Sequence, residues 1–139
     1  MIACYHPQAA FSDPAFGRLE GNRLFAMWRM LCSRATDLQI RASEIHADDL
    51  AGSAKWQATY SFGAQKRPVH NVIEAKFVFR EGKIVKHDDD FSMWKWSGMA
   101  LGAPGKALGW LPPFQVYLRK RFRSQLDNFV QSGAGSAST

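Results

Sequence analysis

The feature that most constrains the fold lies between Ala54 and Phe91, where three stretches alternate apolar and polar residues and are separated by short turns. Side chains on a strand point to opposite faces in turn, so a period of two marks a strand with one face on a core. Ala54–Phe62 places Trp56, Ala58, Tyr60 and Phe62 on one side and Lys55, Gln57, Thr59 and Ser61 on the other. Val69–Phe79 gathers Val69, Asn71, Ile73, Ala75, Phe77 and Phe79 opposite His70, Val72, Glu74, Lys76 and Val78. The third stretch follows a tight turn at Arg80-Glu81-Gly82-Lys83. It sets Val85, His87, Asp89 and Phe91 on one face, with Ile84, Lys86, Asp88 and Asp90 on the other. With Leu38–Ala47 as an earlier strand, and turns at Asp48–Gly52 and Ala64–Pro68, the pattern predicts an antiparallel meander.

Helices flank this sheet. Asn22 is a suitable N-cap, and Leu24, Met27, Trp28, Leu31 and Ala35 recur at the spacing of one buried helix face. Pro112-Pro113 suits the first turn of a final helix. Its stripe is Phe114, Leu118, Phe122, Leu126 and Val130, which leaves Arg119, Lys120 and Arg123 largely on a solvated face. The Trp- and Gly-rich tract Met93–Leu111 is expected to cover a sheet edge or a pocket mouth, or to make a subunit contact. Gly102-Ala103-Pro104-Gly105-Lys106 lacks the glycine spacing and the Ser or Thr of a phosphate loop.

A chain of 139 residues is most simply one domain, here expected over residues 1–131, with a small polar tail at 132–139 that is expected to be disordered. The net charge of +6 raises nucleic acid as a partner, but much of the excess sits in Arg119–Arg123, so that partner is not expected. No apolar run is long enough to span a membrane, and no secretory signal opens the chain. Cys4 and Cys32 fit neither a metal spacing nor a disulfide framework, which points to reduced thiols in the cytoplasm.

Within this frame, His87 and Asp89 stand together between Val85 and Phe91, as in a half-buried polar site with apolar surroundings. Asp13, at a strand–Pro junction in the strand-like piece Gln8–Asp13, is held out of helical geometry by Pro14 and shares parity with Phe11. It either projects into a cavity near Phe11 and Phe16 or caps a turn. Asn71 interrupts an apolar row, so it either ties a loop down or reaches a ligand. Metal hydrolysis by His87 with Asp88–Asp90 is not expected, because Asp89 faces away from the other two and no second histidine is near.

Three stretches together resemble the nuclear transport factor 2-like superfamily, and within it the SnoaL-like group of polyketide cyclases and ketosteroid isomerase relatives. They are Tyr5-His6-Pro7-Gln8-Ala9-Ala10-Phe11-Ser12-Asp13-Pro14 followed by Gly21, the hairpin Phe77-Val78-Phe79-Arg80-Glu81-Gly82-Lys83-Ile84, and His87-Asp88-Asp89. The resemblance implies an α+β cone: a curved antiparallel sheet wraps helices around an apolar cavity, here with a C-terminal helical extension. It also implies homodimers through the sheet, a hydrophobic small-molecule partner and no cofactor. By position, Asp13 matches the proton-shuttling aspartate of the isomerases. Asp89 matches the acid/base aspartate of the cyclases, with His87 beside it. Phe11, Phe16, Trp28, Trp56, Tyr60, Asn71 and Phe91 are then expected to line the pocket. The family usually carries a further N-terminal helix, whereas only Met1–Cys4 precede Tyr5. The expectation is therefore either a shortened start or a more open cavity.

Two function classes follow. One is a cofactor-independent isomerase or cyclase that moves a proton beside a carbonyl, with Asp89 as base and Asp13 as its alternative. The other is a non-catalytic module that binds an apolar ligand or a protein partner.

Overall fold

The computed structural model describes residues 2–34 and 37–132. Six strands form one sheet: β1 (Tyr5–Asp13), β2 (Gly17–Glu20), β3 (Gln39–Ala47), β4 (Ala51–Phe62), β5 (Arg67–Arg80) and β6 (Lys83–Asp90). Helix α1 (Asn22–Arg34) lies between β2 and β3, and α2 (Met93–Leu101), α3 (Ala103–Leu108) and α4 (Pro112–Gln131) follow the sheet. The strand order is β2-β1-β6-β5-β4-β3. The expected meander is present from β3 to β6, each strand antiparallel to the next. Glu81 and Gly82 both carry positive φ (55° and 75°), which matches the right-handed twist of the strands they join.

One pairing departs from the antiparallel expectation. β1 runs parallel to β6, with Phe11 beside His87 and Ser12 beside Asp88. β1 also begins at Tyr5 rather than Gln8, because Tyr5 itself pairs with Ile84 of β6, with a register shift before the pairing resumes at Ala10. This contact brings the N-terminal segment onto the strand that carries His87 and Asp89.

Two buried clusters hold the helices on the sheet. In the first, Tyr5, Phe11, Leu19, Leu24, Met27 and Met30 pack with Leu126 of α4. The expected α1 face is corrected at its end: Met30 is buried, whereas Leu31 is 37% exposed. The helix is clasped between β1, β2 and α4, so the seam follows Leu24, Met27 and Met30. Ala35 and residues 133–139 of the expected tail lie outside the described residues.

The second cluster joins Val69, Met93, Trp96, Ala100 and Leu118. Here α2 covers the edge of β5 beyond the end of β6, where the Arg67 Nε–H donates to the Met99 carbonyl at 3.0 Å. The glycines of this tract serve close packing: a Cβ at Gly105 would fall 1.9 Å from the Ser97 carbonyl oxygen. Among the described residues, no helix is long and apolar enough to cross a membrane.

Candidate functional site

The site is built where β1 meets β6. Parity on β6 puts His87 and Asp89 on one face, and the structure joins them, Nε2 to Oδ1, at 2.6 Å. The His87 side chain is 1% exposed and that of Asp89 9%. On the other side of the ring, Nδ1 lies 2.6 Å from the Tyr5 hydroxyl, 82 residues away in sequence. The Trp28 indole N–H in turn donates to that hydroxyl oxygen at 3.2 Å.

These roles fit one directional chain. An ionised Asp89 only accepts, so Nε2 carries the imidazole proton; Nδ1 then accepts from the Tyr5 O–H. Phe11 (5.0 Å, edge-on) and Phe77 (4.4 Å, tilted) enclose the imidazole ring. Burial raises the Tyr5 pKa, against the Trp28 hydrogen bond that lowers it, so the phenol remains a proton donor.

Asp13 joins the same face. The parallel register ends at Phe11–His87 and Ser12–Asp88; alternation along β1 turns Asp13 to the face of Phe11, and the charge of Asp89 reaches its carboxyl. Asp88, on the opposite face, instead accepts from the Ser12 hydroxyl at 2.6 Å. Asp13 Oδ1 accepts the Phe16 backbone N–H at 2.6 Å, and the Ala15 backbone N–H also donates to the carboxylate. Burial pushes the Asp13 carboxyl from 3.8 to about 6. The Phe16 hydrogen bond opposes that shift, and the charge of Asp89 adds to it. Of the two readings of Asp13, the turn cap is present in the hydrogen bond to Phe16.

The turn that carries Asp13 is held from behind by α4. Arg119 Nε–H donates to the Pro14 carbonyl at 3.3 Å, and Arg123 donates to the carbonyls of Phe16 at 2.5 Å and Arg18 at 3.2 Å. This corrects the solvated-face expectation for Arg119 and Arg123. The backbone of a tight turn leaves carbonyls unpaired, and two guanidinium groups supply the missing donors. At Gly17, φ is +71° and a Cβ would sit 3.3 Å from the Arg119 side chain.

The residues expected to line a pocket divide between the two clusters. Phe11 and Phe16 are buried in the first, with Trp28 half-buried against it. Phe91 and Tyr60 pack against the second, and Tyr60 accepts the Trp96 indole N–H at 2.8 Å. Trp56, half-buried, sits opposite Ile73 on the face that Asn71 shares. Sequence reasoning did not single out Tyr5, Arg119 or Arg123 as site residues. Tyr5 carried only the signal of a polar group at a parity shared with Phe11.

The SnoaL-like domain profile matches residues 1–87, more than half of the chain. The chain belongs to the SnoaL-like family. The matched span includes Tyr5, Asp13 and His87 and stops two residues short of Asp89. A putative SnoaL-like polyketide cyclase from Jannaschia sp. CCS1 shares the fold at 11% identity and TM-score 0.63, over 74% of this chain and 76% of that one. A protein with a ketosteroid isomerase-like fold from Catenulispora acidiphila DSM 44928 aligns at 12% identity and TM-score 0.63, over 79% of this chain and 83% of that one. An epoxide hydrolase of the LEH-like type from M. tuberculosis aligns at 19% identity and TM-score 0.57, over 76% and 79%. At such identities these likenesses establish the fold. No curated protein matches the sequence.

Proposed function

We propose that this SnoaL-like chain is a cofactor-independent isomerase or cyclase that moves a proton next to a carbonyl of a hydrophobic substrate. The observation that carries the reading is the pairing of two carboxylates on one apolar face in contrasting surroundings. Asp13 is pushed up to about 6, chiefly by burial. Asp89 is oriented by the Trp28–Tyr5–His87 chain. Separated environments of this kind suit a group that both takes and returns a proton near neutral pH.

In this reading the Asp13 carboxylate removes the proton from the carbon beside the carbonyl. The electron pair moves into the enolate. Asp13 then returns the proton to a different carbon, giving isomerisation, or the enolate carbon attacks a second carbonyl and closes a ring, and the alkoxide so formed takes the proton back from Asp13. Asp89 raises the basicity of Asp13 by its charge, and His87 holds Asp89 in place. The reading seats the substrate between the sheet face and the helices, with Trp56, Tyr60 and Phe91 as the expected lining. The reading includes a homodimer through the opposite sheet face, where Val72 and Val78 stand 45% and 43% exposed. Two free, exposed cysteines fit a reducing cytoplasmic setting.

The test incubates wild type, Asp13→Asn and Asp89→Asn with a panel of steroid- and polyketide-like ketones in deuterated water. Exchange of alpha-protons by wild type, lost in Asp13→Asn and reduced in Asp89→Asn, supports the reading. Binding of one ketone by all three proteins with no exchange by any supports a non-catalytic binding module instead. Equal exchange by all three removes the carboxylate pair from the mechanism.

A further inference from the structure

Helices α2 and α3 bury one side and leave an aromatic surface on the other. On the inner side, Met93, Trp96 and Ala100 belong to the second cluster. On the outer side, Trp94 is 53% exposed, Leu108 42% and Trp110 57%. The two exposed rings are anchored side by side, because their indole N–H groups donate to successive carbonyls at the end of α3. Trp94 donates to Lys106 and Trp110 to Ala107, each at 3.0 Å. Leu108 follows directly on those carbonyls. An indole held in this way has its one polar atom satisfied within the protein, so its ring can enter an apolar medium without losing a hydrogen bond.

The charge around these rings has one sign. From Phe91 to Leu126 the sequence holds six basic residues and no acidic one, a charge equal to the +6 of the whole chain. Arg119 and Arg123 bind the turn after β1, but Lys95, Lys106, Lys120 and Arg121 are exposed. Among the described residues, no carboxylate pairs with any of these four. The Lys106 stem crosses α2 at Gly98, where a Cβ would meet its Cγ at 3.0 Å, one helical turn from Trp94. Lys95 adjoins Trp94 on α2, so two ammonium groups flank the rings.

This combination selects its partner. A second copy seated symmetrically would set a cationic surface against itself. A nucleic acid would engage the lysines but give the aliphatic Leu108 nothing to bury against. An anionic bilayer answers both halves: its phosphates meet the ammonium groups, and the upper acyl chains receive the indoles and the leucine. We propose that α2 and α3 dock this protein peripherally on an anionic lipid surface. Trp94, Leu108 and Trp110 enter the boundary between headgroups and acyl chains, and Lys95 and Lys106 lie at the phosphates. The inference does not depend on the proton-transfer reading.

The test sediments the full chain with vesicles of phosphatidylcholine alone and of an equal mixture with phosphatidylglycerol. Wild type is expected to bind the mixed vesicles at least about tenfold more tightly, and lipid brominated on its acyl chains quenches its tryptophan fluorescence. Lys95→Gln with Lys106→Gln lowers that binding by about tenfold or more. Trp94→Ser with Trp110→Ser loses it. Trp94→Phe with Trp110→Phe keeps binding and loses most of the quenching, a readout that does not depend on the serine variant folding. Equal binding to both vesicles, binding to neither, binding that survives in the serine variant, or quenching that survives in the phenylalanine variant overturns the proposal. So does tighter binding to a single-stranded oligonucleotide than to the mixed vesicles, which assigns the surface to nucleic acid. A lipid-free dimer that the serine variant disperses assigns it to a second copy and overturns the proposal equally.

Discussion

Asp13→Asn is expected to stabilise this protein above pH 6 while it abolishes proton exchange. The carboxyl moves from 3.8 to about 6 on folding. Between those values the native state therefore binds the proton that the unfolded chain releases. Stability from this group falls as pH rises through that window and stays low above it. At about 1.4 kcal/mol per pH unit, the ionised side chain costs the fold up to about 3 kcal/mol at pH 7–8. An asparagine keeps the carbonyl oxygen that accepts the Phe16 N–H and carries no charge to desolvate. The gain corresponds to roughly 10 °C in melting temperature for a chain of this size. Urea denaturation of both proteins from pH 4 to pH 8 measures it. The two curves converge near pH 4 and separate progressively up to about pH 6. A substitution that destabilises at pH 8, or whose effect is the same at every pH, refutes the argument that Asp13 is ionised at a cost.

Other consequences follow from the same geometry. Tyr5→Phe leaves His87 Nδ1 and the Trp28 N–H buried without partners, so it lowers stability by about 1–3 kcal/mol in urea titration. It also slows proton exchange, because His87 loses the contact that orients it. Arg123→Ala frees the Phe16 and Arg18 carbonyls, costs about 1–3 kcal/mol, and shifts the pH profile of exchange as Asp13 loses its fixed turn. Val78→Lys places a charge on the proposed dimer face, and light scattering is expected to show a monomer where wild type is a dimer.

The sheet was legible because its information is local. Parity alone placed His87 and Asp89 on one face, but the register shift between Val78 and Phe79 was not legible, and it turns Ile84, expected on the opposite face, toward the core with Tyr5. The two buried residues of the α4 stripe, Leu118 and Leu126, were equally readable from a four-residue repeat. The parallel docking of β1 on β6 left no such mark, since it joins residues about 75 positions apart through a register set only in the folded sheet. Tyr5 was therefore missed as the partner of His87, and Asp13 could not be placed beside Asp89. The arginines of α4 were misread for a related reason. A charge off an apolar stripe looks solvated in sequence, and the carbonyls that Arg119 and Arg123 bind belong to a turn more than 100 residues earlier. On α1, the choice between Met30 and Leu31 depended on α4 packing against it, which no period within α1 records.

The claim that Asp13 and Asp89 act as one proton-transfer centre is tested most directly by titrating the Asp13 carboxyl carbon by NMR in wild type and in Asp89→Asn. The account predicts a wild-type midpoint near 6 and a lower one once the neighbouring charge is removed. A wild-type midpoint in the ordinary aspartate range, or one indifferent to Asp89, would contradict it.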